Sequence, residues 1–199
     1  GEEKEGPALP YPFSWRVHRG TIPEGEARDK NLETTSVWIL PAHRWESEIV
    51  RNLTNRFGAG GTQWAEIRLS SHPVTKSEGE ESPLDGPFSL LYVHGTPGEV
   101  PPRSYLQGFL NTVDRIAEDC HRVLLPGGFL AVKTEDLREG EHLLPAGLLL
   151  LEHLSRYHHL RLKEIVIGVP DNPSIPSNSQ EHLLILHHYL LIFRREDVA

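Results

Sequence analysis

The clearest pattern of apolar and polar positions lies between residues 104 and 138. Apolar residues recur there at intervals of three and four, as on one face of a helix: Tyr105, Phe109, Val113, Ile116, Cys120 and Val123. Ser104 is placed to cap the first turn, and Pro126-Gly127-Gly128 cannot continue a helix. The apolar run Phe129–Val132 is short enough to be a buried strand. A long helix, a tight turn and a buried strand are typical of a βαβ unit, so we expect a parallel sheet.

Weaker periodicity elsewhere predicts further elements. Strands are expected at residues 35–40, 64–69, 88–93, 161–169 and 187–194. A helix is expected at residues 42–56, where Trp45, Ile49 and Leu53 share a face, and another at 145–157, behind Pro145. The last two strands have no helix between them, which predicts an antiparallel hairpin at a sheet edge.

The order of these elements indicates an α/β fold, with a Rossmann-like, mostly parallel sheet between helices and an antiparallel hairpin strand at the C-terminal end. Residues 1–30 are rich in Glu, Gly and Pro, and we expect them to form a flexible N-terminal arm. Residues 31–199 then form one α/β domain, in which the polar stretch 70–86 is a surface loop.

Composition narrows the environment in which the chain works. Its 199 residues, 38% of them hydrophobic, suffice for one full core. A single cysteine argues against disulfides and a cysteine-based zinc site, and indicates an intracellular compartment, cytoplasmic or nuclear. No apolar run reaches the roughly 20 residues of a membrane helix, so we expect a soluble protein without a membrane partner. The net charge of −8 argues against nonspecific attraction to phosphates. Methionine is absent, even at position 1, so we expect a truncated sequence.

Several segments of the C-terminal half resemble one enzyme family. The stretch Arg122–Leu130, with its Pro-Gly-Gly turn, resembles a segment common in class I S-adenosylmethionine-dependent methyltransferases. Further stretches are similar to the DNA N4-cytosine and N6-adenine amino-methyltransferases and the MT-A70-like group: Glu135–Arg138, Pro145, Ile165–Gly168 and His187–Arg194. The resemblance covers residues 87–195. It implies the class I fold, S-adenosylmethionine as cofactor, and methylation of a base amino group in DNA or RNA.

The family's catalytic motif is the point at which this chain departs from the pattern. Family members carry Asp, Ser or Asn, then Pro-Pro and an aromatic residue, after the strand that corresponds to residues 88–93. The first side chain accepts hydrogen bonds from the amine of a flipped base, and the ring stacks on that base. This chain has His94-Gly95-Thr96-Pro97 instead. The resemblance thus assigns the catalytic position to His94, Thr96 and Pro97, with a ring nitrogen of His94 as acceptor and Tyr105 as the source of a ring.

The resemblance also implies a cofactor loop of the form Phe-x-Gly-x-Gly. The stretch Phe57–Thr62 has this form, which makes Phe57, Gly58 and Gly60 candidate S-adenosylmethionine contacts and Glu66 a candidate ribose acceptor. The alternative is a helix C-terminus with Gly58 in the left-handed conformation. Asp136 is a further candidate cofactor contact, and its alternative is a loop or capping carboxylate.

Other residue types add few candidates. The twelve histidines do not predict a metal site, because several fall on a helix end or alternate across a strand. Polar residues of the loop before the last strand contact a base or phosphate in one interpretation and form an ordinary turn in the other: Asn172, Ser174, Ser177 and Asn178. No Gly-x-Ser-x-Gly elbow is present, so hydrolase chemistry has no anchor.

Three functions remain open from the sequence. The first is a nucleic-acid amino-methyltransferase whose site has diverged. The second is a catalytically inactive subunit that positions nucleic acid or supports a second methyltransferase subunit, as the resemblance to the MT-A70-like group implies. The third is a doubly wound domain unrelated to methylation, in which the Pro-Gly-Gly turn is a coincidence. Binding of S-adenosylmethionine and co-purification of a second subunit separate these hypotheses.

Overall fold

A computed structural model describes residues 13–24, 36–71, 84–171 and 187–197. Within them a seven-stranded sheet has the order β1-β3-β4-β5-β9-β8-β2. Its strands are β1 (Ser14–Thr21), β2 (Val37–Leu40), β3 (Gln63–Ser70), β4 (Phe88–Gly95), β5 (Leu124–Thr134), β8 (Leu160–Pro170) and β9 (His188–Arg195). Five of them run in one direction, and β1 and β9 run against it. The prediction of an α/β, Rossmann-like fold with a mostly parallel sheet is therefore confirmed.

Helices cover both faces of this sheet. They are α1 (Trp45–Phe57), α2 (Pro102–Val123) and α3 (Ala146–Leu154). The apolar sides of α2 and α3, including Phe109 and Leu150, belong to one core with Val93. Ile49 and Leu53 of α1 belong to a second core on the other face. In the described parts of the chain no helix has the length and apolarity that crossing a membrane requires.

The centre of the sheet agrees with the sequence prediction. Strand β4 is buried from Phe88 through His94, and it runs parallel to β5 with Leu90 opposite Phe129 and Val93 opposite Val132. Because both strands run the same way, their carboxyl ends meet at one edge of the sheet. That edge is where α/β folds place their ligands.

The N-terminal arm needs a correction. The sequence predicts no element before residue 35, but Ser14–Thr21 forms strand β1, antiparallel to β3. Only Trp15 and Val17 give this strand an apolar side, so its stability comes from backbone pairing with β3 rather than from a local pattern. Of the predicted loops, residues 72–83 of the 70–86 stretch and residues 172–186 lie outside the described residues. The loop candidates Asn172, Ser174, Ser177 and Asn178 are among them.

The predicted boundaries of α2 are also wrong in detail. The helix begins at Pro102, after Pro101, and Ser104 makes no side-chain capping bond. It ends at Val123, and Leu124 already pairs with Phe88 as the first residue of β5. The Pro-Gly-Gly turn therefore does not end the helix. It lies within β5, where the register shifts and Gly127 adopts a φ of +74°, a conformation that favours glycine.

Two predictions about the C-terminal half are also corrected. Strands β8 and β9 are antiparallel, as expected, but they do not form a sheet edge, because β2 pairs in parallel with β8 beyond them. The sequence predicts no helix or strand in the stretch 134–144. This stretch contains a separate hairpin of two short strands, β6 (Leu137–Glu139) and β7 (His142–Leu144).

Candidate functional site

A cavity of about 190 Å³ opens at the carboxyl ends of β4 and β5. The loop after β4 contributes Gly95, Thr96 and Pro97, and the end of β5 contributes Lys133 and Thr134. Other walls come from the first turn of α1, the start of α2, the residues after β5 and the start of β9: Trp45, Glu46, Tyr105, Glu135, Leu137 and His188. The cavity thus draws on four separate stretches of the chain, at residues 45–46, 95–105, 133–137 and 188. Their meeting is a consequence of strand order.

His94 is the residue to which the sequence resemblance assigns the leading acceptor, but its ring is held inside the protein. It is 4% exposed, its Nε2 lies 2.7 Å from Glu66 Oε1, and its ring stacks on Tyr92 at 4.9 Å between centroids. Its Nδ1 lies 3.9 Å from Glu46 Oε2. His94 does not line the cavity formed by the described residues, whereas Gly95, the next residue, does. A ligand in the cavity would meet the residues that follow His94 rather than its ring.

Glu66 is the hydrogen-bond partner of His94, and the Glu66 carboxylate is ionised at neutral pH. The hydrogen bond from His94 is the main reason that the pKa of Glu66 falls from 4.5 to about 2, although burial opposes the change. Arg68 adds a further hydrogen bond at 3.2 Å to the same oxygen. The sequence predicts Glu66 as a ribose acceptor. The structure brings it to His94, where its carboxylate already accepts two bonds.

The cavity lining contains a charge pair in which Lys133 is buried and Glu46 is partly exposed. The Lys133 ammonium, on a side chain that is 8% exposed, donates to Glu46 Oε1, and the Tyr92 hydroxyl donates to Glu46 Oε2 at 3.0 Å. Burial alone would raise the pKa of Glu46, but Lys133, together with His94 and Tyr92, lowers it below its usual value. Burial raises the pKa of the Tyr92 hydroxyl well above its usual value, and Glu46 adds to this effect. Tyr92 thus remains a donor and Glu46 an anion at neutral pH.

A second acid–histidine pair, Glu135 with His188, lies at the cavity, and the pKa of its carboxyl group is raised, whereas that of Glu66 is lowered. Glu135 Oε2 lies 3.5 Å from His188 Nδ1, and the His188 ring contacts the Trp45 ring at 5.1 Å between centroids. Burial raises the pKa of Glu135, and Lys133 only partly offsets this. Burial and then the Lys133 charge lower the pKa of His188 to about 4. At neutral pH His188 is therefore uncharged, and Glu135 is the more basic carboxylate of the cavity.

The structure also locates Tyr105, the predicted source of an aromatic ring, and two residues of the predicted catalytic loop. Thr96 and Pro97 line the cavity, and so does Tyr105. The Tyr105 ring is 5% exposed and packs against Phe109 at 5.8 Å between centroids. A Cβ at Gly95 would lie 2.8 Å from the Tyr105 hydroxyl, so these two residues already touch. The Tyr105 hydroxyl therefore lies next to Gly95, and neighbouring residues cover most of its side chain.

The glycine turn after α1 lies at the other end of the sheet. It precedes β3, whereas the cavity lies where β4 and β5 end, so the structure does not bring Phe57, Gly58 and Gly60 to His94. The turn packs against the chain itself, because a Cβ at Gly58 would lie 2.0 Å from Ile22 Cδ1. The cofactor assignment of this turn stays a prediction.

The alternative for this turn, a left-handed Gly58, is wrong. Gly58 does end α1, since its N–H donates to the Thr54 carbonyl at 3.0 Å, but its φ is −76°. The glycine with a left-handed φ is Gly61, at +74°. Asp136 lies after β5, and its Oδ1 accepts a bond at 3.2 Å from the backbone N–H of Gly147, in the first turn of α3. This contact is of the capping kind that the sequence offered as the alternative, and Asp136 also forms a hydrogen bond with the Tyr189 side chain.

No protein-family model and no curated protein matches the chain. Solved structures match it in part. A putative DNA modification methylase from Thermus thermophilus, complexed with S-adenosyl-L-methionine, is 17% identical, with a TM-score of 0.42 over 58% of this chain and 50% of that one. The N-methyltransferase NodS from Bradyrhizobium japonicum is 13% identical, with a TM-score of 0.32 over 59% of each chain. A methyltransferase from Pyrococcus furiosus is 13% identical, with a TM-score of 0.33 over 81% of this chain and 62% of that one.

This chain therefore spans about half the length of the Thermus protein. All three proteins are described as methyltransferases. Similarity this low shows neither the substrate of this chain nor the role of any of its residues. Within residues 13–24, 36–71, 84–171 and 187–197, no three His, Cys, Asp or Glu side chains converge as a metal site would require.

Sequence reasoning missed the charged groups that dominate the cavity. Glu46 and Lys133 lie 87 positions apart, and nothing local distinguishes Glu46 from a surface residue. One signal was present in the sequence. Lys133 directly continues the apolar run Phe129–Val132, and a lysine at the end of a buried strand must find an anion or shift its pKa.

Proposed function

We propose that this chain is a methyltransferase-type α/β domain that acts on or with nucleic acid, and that the cavity after β4 is its ligand site. The observation that carries this proposal is the position of the cavity. It is lined by Gly95, Thr96 and Pro97, in the segment where the resembled amino-methyltransferases hold the amine of a base. The antiparallel β9 between β5 and β8 supports it as well, since the resemblance implies a terminal hairpin of this kind.

S-adenosylmethionine is the cofactor that the resemblance implies. The glycine turn does not fit this group in the conformation described, because Ile22 takes up the space next to Gly58 and Glu24 that next to Gly61. The carboxyl-edge cavity has aromatic side chains, three hydroxyls and the charges of Glu46, Lys133 and Glu135, and its volume of about 190 Å³ suits one ring of this cofactor rather than the whole molecule. We therefore propose the cavity rather than the turn as the place to test for cofactor binding.

Calorimetric titration with S-adenosylmethionine tests this proposal. We expect saturable heat at millimolar cofactor or below, and a raised melting temperature. Lys133→Met would weaken binding if the cavity is the site. Gly60→Ala would weaken it if the turn is the site; a Cβ there would lie 3.3 Å from the Pro23 carbonyl oxygen, which requires a small local shift, so the melting temperature of this variant without cofactor is measured as well. Absence of heat and of thermal stabilisation would end the proposal of a cofactor-binding enzyme for this chain.

A second candidate function is favoured by the placement of His94. The ring at the family's catalytic position is bonded to Glu66 and 4% exposed, which is the environment of a structural histidine. This supports a catalytically inactive subunit that positions nucleic acid or assists a second methyltransferase subunit. Fluorescence anisotropy with labelled single-stranded DNA and RNA, at two salt concentrations, tests the nucleic-acid part. Binding of an oligonucleotide without transfer of a labelled methyl group would favour the inactive subunit, and transfer would favour the enzyme.

A further inference from the structure

The acceptor that the family places after β4 is missing from the surface of this cavity, because His94 is turned inward. A ligand with an amino group would therefore need its hydrogen-bond acceptor from another segment. The carboxylates near the cavity are Glu46, Glu66 and Glu135. The structure distinguishes them by what each already binds.

Two of these carboxylates are committed to other partners. Glu46 accepts bonds from Lys133 and Tyr92, one on each oxygen. Glu66 accepts bonds from His94 and Arg68 on the same oxygen and does not line the cavity. Breaking either arrangement would leave a buried charge without its partner, which is costly. Neither group is suited to receive a ligand.

Glu135 differs from both in its contacts. It directly follows β5 and, as Glu46 does, lines the cavity, and 36% of its side chain is exposed, but it has none of the bonds to a lysine, an arginine or a tyrosine that are described for Glu46 and Glu66. Its neighbour His188 lies 3.5 Å away because Thr134 and Tyr189 are paired across β5 and β9. The imidazole is uncharged at neutral pH, so it positions the carboxylate without neutralising it.

The rest of the cavity suits a small flat ligand. The indole of Trp45 and the imidazole of His188 contribute aromatic surface, and the hydroxyls of Thr96 and Tyr105 add polar groups. The volume of about 190 Å³ is below the roughly 300 Å³ at which sites for larger ligands begin. A single planar ring system that carries an amino group matches this combination of size, aromatic surface and acceptor.

We infer that Glu135, positioned by His188, is the hydrogen-bond acceptor for the amino group of a planar heteroaromatic ring bound in this cavity. This inference rests on the proposed function, in which the ligand is a base. It moves the acceptor from the loop after β4 to the end of β5. The ionisable groups that act on Glu135 are Lys133 of β5, Tyr105 of α2 and His188 of β9, and Glu46 of α1 and His187 act on its neighbour His188.

Adenosine and purine riboside test the inference, because they differ only in the amino group. Dissociation constants are measured by NMR titration of the full chain. A hydrogen bond to a charged acceptor predicts that the native protein binds adenosine about tenfold more tightly or better. Glu135→Met should abolish this preference, and Glu135→Gln, which keeps an uncharged oxygen, should reduce it severalfold. The exposed Glu141→Met is the matched control and should keep it.

A pH series gives an independent readout. The carboxylate is the acceptor, so the preference for adenosine should fall as the pH drops through the raised pKa of Glu135, in the native protein but not in Glu135→Gln. Equal affinity for the two nucleosides, a preference that survives Glu135→Met, or no binding of either nucleoside would overturn the inference. The titration with S-adenosylmethionine is separate. Cofactor binding without nucleoside preference would refute the acceptor assignment alone.

Discussion

The bond between Glu66 and His94 gives the most quantitative prediction. Glu66→Gln keeps the size of the side chain and removes its charge, so it tests the carboxylate without opening a cavity. The Glu66 side chain is 12% exposed and that of His94 is 5% exposed, so water screens the pair only weakly. The loss should therefore appear in the free energy of unfolding.

The magnitude follows from the pKa of Glu66. It is lowered from 4.5 to about 2, chiefly by the hydrogen bond from His94. This difference corresponds to about 3 kcal/mol of stability at pH 7, since one pH unit is worth about 1.4 kcal/mol. The native pKa is depressed, so the contribution is complete above pH 4.5 and is lost as the pH falls towards 2. At pH 3 about 1.4 kcal/mol should remain.

Urea unfolding of the native chain and of Glu66→Gln, at several pH values between 7 and 3, measures this difference. We expect the variant to be less stable by about 3 kcal/mol at pH 7, and the gap to close by about half at pH 3. The exposed pair of Glu152 with Arg156 supplies the control, because Glu152→Gln should change stability by less than about 1 kcal/mol. A gap below about 1 kcal/mol at pH 7, or one that does not narrow on acidification, would refute the reasoning.

Three further predictions concern the scaffold. Leu150→Ala should destabilise the protein by about 2–5 kcal/mol in urea unfolding, because the Leu150 side chain is 0% exposed. Leu148 is 65% exposed, so Leu148→Ala should cost less than about 0.5 kcal/mol. Similar losses for the two variants would contradict the orientation of α3. Gly86→Ala should lower the melting temperature, because a Cβ there would lie 2.2 Å from the Val123 carbonyl oxygen, and an unchanged melting temperature would argue against this close approach. Cys120 is fully buried and burial raises the pKa of its thiol, so a thiol reagent should label it only at the rate of unfolding; rapid labelling of the native protein would place it outside the core.

The elements with a strong local pattern were predictable. Apolar residues recur every three or four positions along α2, and β4 is apolar along most of its length. The pattern of apolar residues is therefore enough to predict both elements. Strand β1 escaped prediction because its sequence is largely polar, and its pairing with β3 involves residues about 50 positions away. The Pro-Gly-Gly turn was misplaced for a related reason. Composition shows that a turn occurs, but not whether it ends a helix or interrupts a strand.

The position of the candidate site followed from the sequence, but its chemistry did not. A loop after a central buried strand is a reliable place for a ligand, and Thr96 and Pro97 do line the cavity. The inward orientation of His94 depends on Glu66, which lies on the adjacent strand. The pairing of Glu135 with His188 depends on the register of β5 and β9. Strand order and register are tertiary properties, and no local pattern encodes them.

The two outermost strands of the sheet are consecutive in the chain. Strand β1 closes one margin against β3, over eight residue pairs, and β2 closes the other against β8, over four. Residues 14–21 and 37–40 therefore cover the outer backbone groups of β3 and β8. Without these two strands, β3 and β8 would become the edges of the sheet, and open edges promote edge-to-edge aggregation. On the β8 side, the exposed edge would then be the 11 residues of β8 instead of the 4 residues of β2.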